Sequence, residues 1–302
     1  MEAQEFKALC KLRTTQTEEI IKQYLPGEQG YQKTVIEAMN YSLLAGGKRL
    51  RPLFMWETYR MLGGVGREIE PFMAAIEMIH TYSLVHDDLP AMDNDEYRRG
   101  RETTWKVYGE GMGILAGDGL LNYAYETALS AFERFPEADK GLLAKALRVL
   151  AVKAGIYGMV GGQTADIEAE TQVAPLSGEQ LMFIHGHKTA ALLQAAMLVG
   201  AILAGAGEQT LSKIETCAYK VGIAFQIQDD VLDVTGDSEK LGKPVGSDDR
   251  NHKQTYVTLN GLEQSREAVK ALSEEAVRTL EEISPEHAFM KQLVTDLIYR
   301  TK

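Results

Sequence analysis

Apolar residues in this chain recur at three- and four-residue steps over long segments free of proline, and that spacing constrains the fold more than any other feature. In 73–85 the recurring positions are Met73, Ile76, Ile79 and Leu84, with Ala74, Ala75 and Val85 filling in. In 211–232 they are Leu211, Ile214, Val221, Ala224, Phe225, Ile227, Val231 and Leu232. One face of an α-helix has this period. Only 8 prolines occur in 302 residues (Pro26, Pro52, Pro71, Pro90, Pro136, Pro175, Pro244 and Pro285), and they fall where helices would start or stop. The stretches between them are rich in Ala, Leu, Glu, Lys and Met, which favour helix. No alternating strand pattern or two-residue hairpin signal stands out. The spacing predicts helices over 3–24, 30–45, 51–62, 68–89, 102–109, 113–134, 138–160, 176–204, 208–235, 261–283 and 286–300. Those near 68–89, 176–204 and 208–235 are apolar nearly all round, as helices inside a bundle are. With no fixed-period repeat and no Ser/Gly linker, the expected architecture is all-α, one domain over 1–302.

Charge narrows the function. The 32 Lys+Arg against 43 Asp+Glu leave a net charge of −11. A charge-driven nucleic-acid role needs a basic surface and is excluded. An acidic chain still binds an anion where metal ions or a local cluster of Arg and Lys reverse the field. The two cysteines, Cys10 and Cys217, lie far apart and in no metal-ligand spacing, which points to a reducing, cytoplasmic compartment. No basic, apolar leader is visible at the start of the sequence. The uncharged run between Lys188 and Glu208 is long enough to cross a bilayer. Its Gln194, Gly200, Gly205 and alanines, without a flanking basic cluster, predict a buried core helix instead.

Two aspartate clusters end or interrupt apolar helices. The first is His86-Asp87-Asp88-Leu89-Pro90-Ala91-Met92-Asp93-Asn94-Asp95. Pro90 should break the helix and let Asp93 turn back toward Asp87. The second is Gln226-Ile227-Gln228-Asp229-Asp230-Val231-Leu232-Asp233, where Asp229 and Asp233 share one helix face and repel unless a cation lies between them. Either cluster alone reads equally as a solvated helix end. A calcium loop starting at Asp93 fails, because its sixth position is Arg98 and its twelfth Thr104. Taken together, the clusters predict two carboxylate walls gripping a diphosphate through several Mg²⁺ ions, since Mg²⁺ takes oxygen ligands and bridges to phosphates.

Basic residues are grouped to match. Gly46-Gly47-Lys48-Arg49-Leu50-Arg51-Pro52 sets three cations between a helix end and a helix start, and Arg98-Arg99-Gly100-Arg101 follows the first acidic cluster. Such runs are often only solvated loops. Beside a metal–phosphate site they would serve a second, metal-free diphosphate. His80 lies seven residues before Asp87 on the same helix face. Lys188, at the head of a buried helix, needs an anionic partner. Gln163 and Gln226 bring neutral dipoles to similar settings, and Lys243 and Lys253 fall in a Gly-, Asp- and Lys-rich loop that reads as a lid.

These residues together resemble the trans-isoprenyl diphosphate synthases, nearest to the bacterial farnesyl-making type. The motifs are GGKRLRP at 46–52, HDDLPAMDND at 86–95 followed by RRG, GGQTAD at 161–166, KTA at 188–190, FQIQDDVLD at 225–233 and GKPVGSD at 242–248. The resemblance implies a helical bundle around a deep hydrophobic cavity, usually a homodimer. It implies that Asp87, Asp88 and Asp93 hold two Mg²⁺ on an allylic diphosphate, and that Asp229, with Asp230 and Asp233, holds a third. Arg98, Lys188 and Lys253 would grip the same diphosphate, with Lys243 in the lid. Lys48, Arg51, His80 and Arg99 would form the pocket for isopentenyl diphosphate, and Thr189 and Gln226 would lie near the forming allylic cation. Four residues separate the second and third Asp of the first cluster, the longer form similar to bacterial members.

The mechanism implied is ionisation of the allylic C–O bond, attack by the isopentenyl double bond and loss of a proton, in a cavity dry enough to spare the cation. Tyr82 lies five residues or about 7.5 Å of helix rise from Asp87, with Ser83 one turn beneath that Asp; a large aromatic there resembles the farnesyl-making members, and the resemblance implies that it floors the cavity and stops growth at C15. Tyr82 could equally be plain core packing. Alternatives are a synthase stopping at C20 or C10, a class I terpene cyclase, or a silent subunit that modulates an active partner. The second diphosphate pocket argues against a cyclase, and two intact acidic clusters argue against a silent subunit.

Overall fold

The computed structural model describes residues 2–172, 174–235 and 254–298. The lid segment, with Lys243, Lys253 and the motif at 242–248, lies outside them, as do the last residues of the helix expected at 286–300. Helices dominate: α1 (Ala3–Lys22), α2 (Lys33–Leu43), α3 (Leu50–Met61), α4 (Glu70–Asp87), α5 (Thr104–Tyr108), α6 (Glu110–Leu129), α7 (Ala131–Arg134), α8 (Lys140–Ala154), α9 (Met159–Thr171), α10 (Gly178–Ile184), α11 (Ala191–Leu203), α12 (Glu208–Thr235), α13 (Tyr256–Asn260), α14 (Leu262–Ile283) and α15 (Ala288–Ile298). The all-α expectation stands.

The centre is built from the helices with no polar face. Every residue of α11 is buried, and α11 is flanked by α3, α8 and α12. Most of α4, from Pro71 to Val85, is buried as well, mainly against α6. Outer helices show the opposite pattern: α14 buries only Ser265, Val269, Ser273, Ala276 and Leu280, a stripe at three- and four-residue steps laid on α12. Gly178–Leu203 is the one helical stretch among the described residues long and apolar enough to cross a bilayer, and it is mostly buried inside the protein. That burial matches the core-helix expectation.

Three local departures from the expected helices matter for the site. First, 138–160 is not one helix. It stops at Ala154, and Gly155 and Gly158 separate it from α9, which carries Gly161 to Asp166. Second, 176–204 is broken by a π-turn, His185–Ala190, between α10 and α11. A π-turn widens the helix by one residue and is common at functional sites. Here it is clamped by close backbone approach on two sides. A Cβ on Gly162 of α9 would lie 2.1 Å from the Lys188 nitrogen, and one on Gly222 of α12 would lie 2.4 Å from the Ala190 Cβ. Third, a hairpin, β1 (Tyr97–Arg98) with β2 (Arg101–Glu102), appears where none was expected. Its two-residue turn has φ of 53° at Arg99 and 75° at Gly100, the doubly positive pattern of a tight hairpin turn. The usual Asn-Gly or Asp-Gly signature is replaced by Arg-Gly, which hid it.

Candidate active site

The first acidic cluster closes α4. Asp88 and Leu89 donate their N–H groups to Leu84 and His86 at 3.0 and 3.1 Å, and Pro90 ends the helix. The chain then doubles back, and the Asp93 N–H donates to the Asp87 carbonyl at 2.8 Å. The predicted reversal is therefore present. The buried Asp88 turns to Arg98, whose Nε and Nη2 both reach its Oδ1 at 2.6 Å. Asp87, about 100° round the helix from Asp88, faces α9 and accepts from Gln163 Nε2 at 2.9 Å. Burial pushes both carboxyls up to about 6; Lys188 opposes it for Asp87 while Asp93 adds to it, and Arg98 opposes it for Asp88.

The second cluster lies toward the end of α12, with Asp230 and Asp233 buried and Asp229 half-buried. The same angular logic holds. Asp230 points into the protein, where its Oδ1 accepts from Gln226 Nε2 at 3.2 Å and its Oδ2 from the Tyr256 N–H at 2.8 Å. His185, buried 3.8 Å from Asp230, is depressed to about 4 chiefly by its burial and so is neutral.

Between the clusters runs a chain of polar contacts. Gln163 and Asp166, three residues apart on α9, reach Asp87 and Lys188 respectively. The Lys188 Nζ to Asp166 Oδ2 distance is 2.5 Å. Thr189, next along the π-turn, donates its hydroxyl to Gln226 Oε1 at 2.8 Å. A cavity of about 410 Å³ opens beside this chain, lined by Asp166, His185, Lys188, Thr189, Gln226 and Asp230 among others. The structure thus supplies the anionic partner that Lys188 required. Asp166, in the GGQTAD motif, is a site residue not singled out from the sequence; its three-residue spacing from Gln163 is the signal that marks it.

The donor set suits a hard cation. It offers only carboxylate oxygens, and two of those carboxyls have a raised affinity for protons that a bound cation would reverse. Among the described residues no three Asp, Glu, His or Cys side chains converge tightly enough to hold an ion alone. Mg²⁺ does not need that, because it binds through one or two carboxylates and completes its shell with water and phosphate.

The basic residues gather on the other side of Asp88. Arg51, Arg99, Arg98 and Arg49, after burial itself, hold the half-buried His80 well below its usual range. Burial pulls Arg51 down to about 10, with Glu77 opposing it, and its Nε has no hydrogen-bond partner. Arg99 donates to the Gly46 carbonyl, drawing the hairpin onto the GGKR loop, and Lys48 is exposed on that loop. Arg49 behaves differently. It adopts a left-handed φ of 49°, turns inward, and pairs with Glu77 at 2.7 Å and with the Leu43 carbonyl at 2.8 Å. Both members of that ion pair are buried. Arg49→Ala is expected to destabilise the fold by about 3–5 kcal/mol through the stranded Glu77. Urea unfolding measures this, and a change below about 1 kcal/mol would refute the structural role.

Below Asp87, Tyr82 is buried against the His86 ring, with centroids 5.8 Å apart, and lies near Tyr125 of α6. Ser83, half-buried, donates its hydroxyl to the His80 carbonyl at 2.9 Å.

A family model described as "Polyprenyl synthetase" matches residues 32–294. The chain belongs to that family, and it is a prenyltransferase. It is 46% identical over 264 residues to a farnesyl diphosphate synthase of Geobacillus stearothermophilus, covering 87% of each chain. It is 45% identical over 248 residues to a geranylgeranyl diphosphate synthase of Cyanophora paradoxa, covering 82% of this chain and 81% of that one. Among solved structures, a geranyltransferase of Helicobacter pylori complexed with magnesium and isoprenyl diphosphate superposes with a TM-score of 0.80 at 29% identity, covering 96% of this chain and 95% of that one.

Proposed function

We propose that the chain condenses isopentenyl diphosphate head-to-tail with dimethylallyl and then geranyl diphosphate, giving farnesyl diphosphate and releasing diphosphate. The observation that carries this reading is the meeting, across Asp88 and Arg98, of an acidic wall with a cationic pocket that holds an orphaned guanidinium nitrogen on Arg51. One side suits a cation-bridged diphosphate, the other a bare one.

On the acidic side, Asp87, Asp88 and Asp93, and opposite them Asp229, Asp230 and Asp233, hold magnesium with the allylic diphosphate. Mg²⁺, when bound, withdraws charge from the departing diphosphate. Arg98 and Lys188 grip the same group, and the contact with Asp166 aims Lys188. As the allylic C1–O bond breaks, the electron pair leaves with diphosphate. Thr189 and Gln226 set oxygen dipoles beside the resulting cation, their orientation fixed by the Thr189–Gln226–Asp230 hydrogen bonds. C4 of the isopentenyl group then bonds to C1, and a proton leaves C2 for the released diphosphate. The apolar surround formed by α4, α6 and α11 keeps water from trapping the cation.

On the cationic side, Lys48, Arg51, His80 and Arg99 receive isopentenyl diphosphate. Binding there is expected to take up protons near pH 6, because the anion cancels the guanidinium repulsion and raises the depressed His80 pKa toward its ordinary value. Calorimetry in two buffers of different ionisation enthalpy reads the uptake. His80→Asn should lose it, and identical uptake in that variant would assign the proton elsewhere.

Lys243 and Lys253 complete the grip in this reading as lid residues. Chain length rests on Tyr82 as the floor, with Ser83 beside it; the 45% identity to a geranylgeranyl synthase keeps C20 as the alternative. Exposed apolar side chains on α6, α8 and α9, including Ile114, Leu115, Val152 and Ile167, support a homodimer. The free Cys10 and Cys217 support a reducing cytoplasm. The deciding experiment is a condensation assay with product length read by mass, run with and without Mg²⁺. Failure to elongate dimethylallyl diphosphate would end this reading.

A further inference from the structure

Arg98 and Arg99 are adjacent, yet they serve opposite sides. Arg98 ends β1, whereas Arg99, with its φ of 53°, opens the turn, so the two side chains leave the backbone in different directions. Arg98 is fixed on Asp88 at 2.6 Å and approaches Asp95 at 3.6 Å, while Arg99 reaches across to the Gly46 carbonyl. The Arg99 guanidinium lies so close over the GGKR loop that a Cβ added at Gly47 would be 2.6 Å from its Nη1. The two side chains therefore sit on consecutive residues at the head of one tight turn, with no slack residue between them. Movement of either side chain is passed to the other through the Arg98–Arg99 peptide that joins them.

A hairpin with two residue pairs is not stable by itself in water. Its position must come from outside, and the anchors are visible. Tyr41 of α2 donates its hydroxyl to the Glu102 carbonyl at 2.8 Å, and its ring carries the Arg101 guanidinium 4.2 Å from the centroid. At the base, Thr103 Oγ1 and Trp105 Nε1 both donate to the Asp95 carbonyl, at 2.8 and 2.9 Å. The base anchors hold the point where the hairpin runs into α5; Tyr41 grips the arm that follows the turn. Tyr41 is half-buried and lines a small pocket with Asp88, Arg98 and Arg99, and its contacts are to Arg101 and Glu102 of the hairpin and to the Tyr108 ring.

We propose that the Tyr97–Glu102 hairpin couples the two diphosphate subsites energetically, and that Tyr41 is the positioning residue that makes it act as a rigid lever. The proposal rests on the two-subsite reading above. A diphosphate that draws Arg98 on the acidic side re-seats Arg99 on the basic side, so each ligand tightens the other. Such coupling is reciprocal, the factor being the same whichever ligand binds first.

The test measures the affinity of isopentenyl diphosphate with and without a saturating, non-ionising allylic thiodiphosphate, in the presence of Mg²⁺, and the reverse pair of titrations. Wild type is expected to show a coupling factor of about tenfold, within the usual range for such effects. Tyr41→Ala should bring it near one while each ligand alone binds within about twofold of wild type. Tyr41→Phe, which keeps the ring under Arg101 but removes the hydroxyl, should give an intermediate factor and is the arm to rely on if the alanine variant does not fold. A merely structural Tyr41 would lower both solitary affinities and leave the factor intact, which would overturn the proposal. So would a wild-type factor of one. Wild type that binds neither diphosphate would instead overturn the two-subsite reading.

Discussion

Asp87→Asn is expected to lower kcat/KM by a factor on the order of 10²–10³, the usual cost of removing one preorganised electrostatic contact at a developing charge. The same variant should be more stable than wild type when magnesium is withheld. At neutral pH the wild-type carboxyl is ionised although burial and Asp93 push its pKa up to about 6. An acid whose folded pKa is raised loses stability as pH climbs from its unfolded value near 3.8 to about 6, and that loss is complete at pH 7. An amide carries no such charge and can still meet Gln163. The gain expected in EDTA is roughly 1–2 kcal/mol by urea unfolding at pH 7, and it should disappear below pH 4. Opposite signs for activity and stability identify a residue kept for chemistry at the expense of the fold. Activity within threefold of wild type would exclude Asp87 as a ligand.

If the product is farnesyl diphosphate as proposed, Tyr82→Ala should shift the main product from C15 to C20 or longer. The ring stands five residues below Asp87, is 6% exposed, and is braced edge-on by His86. Truncating it opens depth along α4 for one more five-carbon unit. The next barrier is Met78, fully buried one turn further, with Thr127 Oγ1 3.7 Å from its sulfur. Elongation should therefore stop again and not run on indefinitely. Tyr82→Phe, which preserves volume, should leave the product unchanged. Mass analysis of dephosphorylated products decides the matter, and no product longer than wild type in the alanine variant would show that Tyr82 is not the floor.

The sequence made the acidic and basic partners legible because each carries an energetic demand. Buried carboxylates need cations, a lysine entering an apolar helix needs an anion, and a proline forces the reversal that brings Asp93 to Asp87. What stayed hidden depends on distant packing. Gly161 and Gly162 look like helix breakers, yet α9 runs through both, and Gly162 is where the Lys188 backbone comes close; tertiary contact outweighs propensity there. The hairpin is encoded by anchors from α2 and α5, not by its own residues. Arg49 sits in the same basic run as Lys48 and Arg51 and cannot be told from them by composition. Only its left-handed backbone turns it inward onto Glu77.

The wide turn at His185–Ala190 has a consequence for how such a chain can change over generations. Shortening that turn by one residue would close it into ordinary helix and rotate α10 by about 100° relative to α11. Lys188 and Thr189 would swing off the cavity although both were still in the chain. Substitution can be tolerated there where side chains have room, but insertion and deletion cannot, so in this stretch the count of residues is inherited as strictly as their identity.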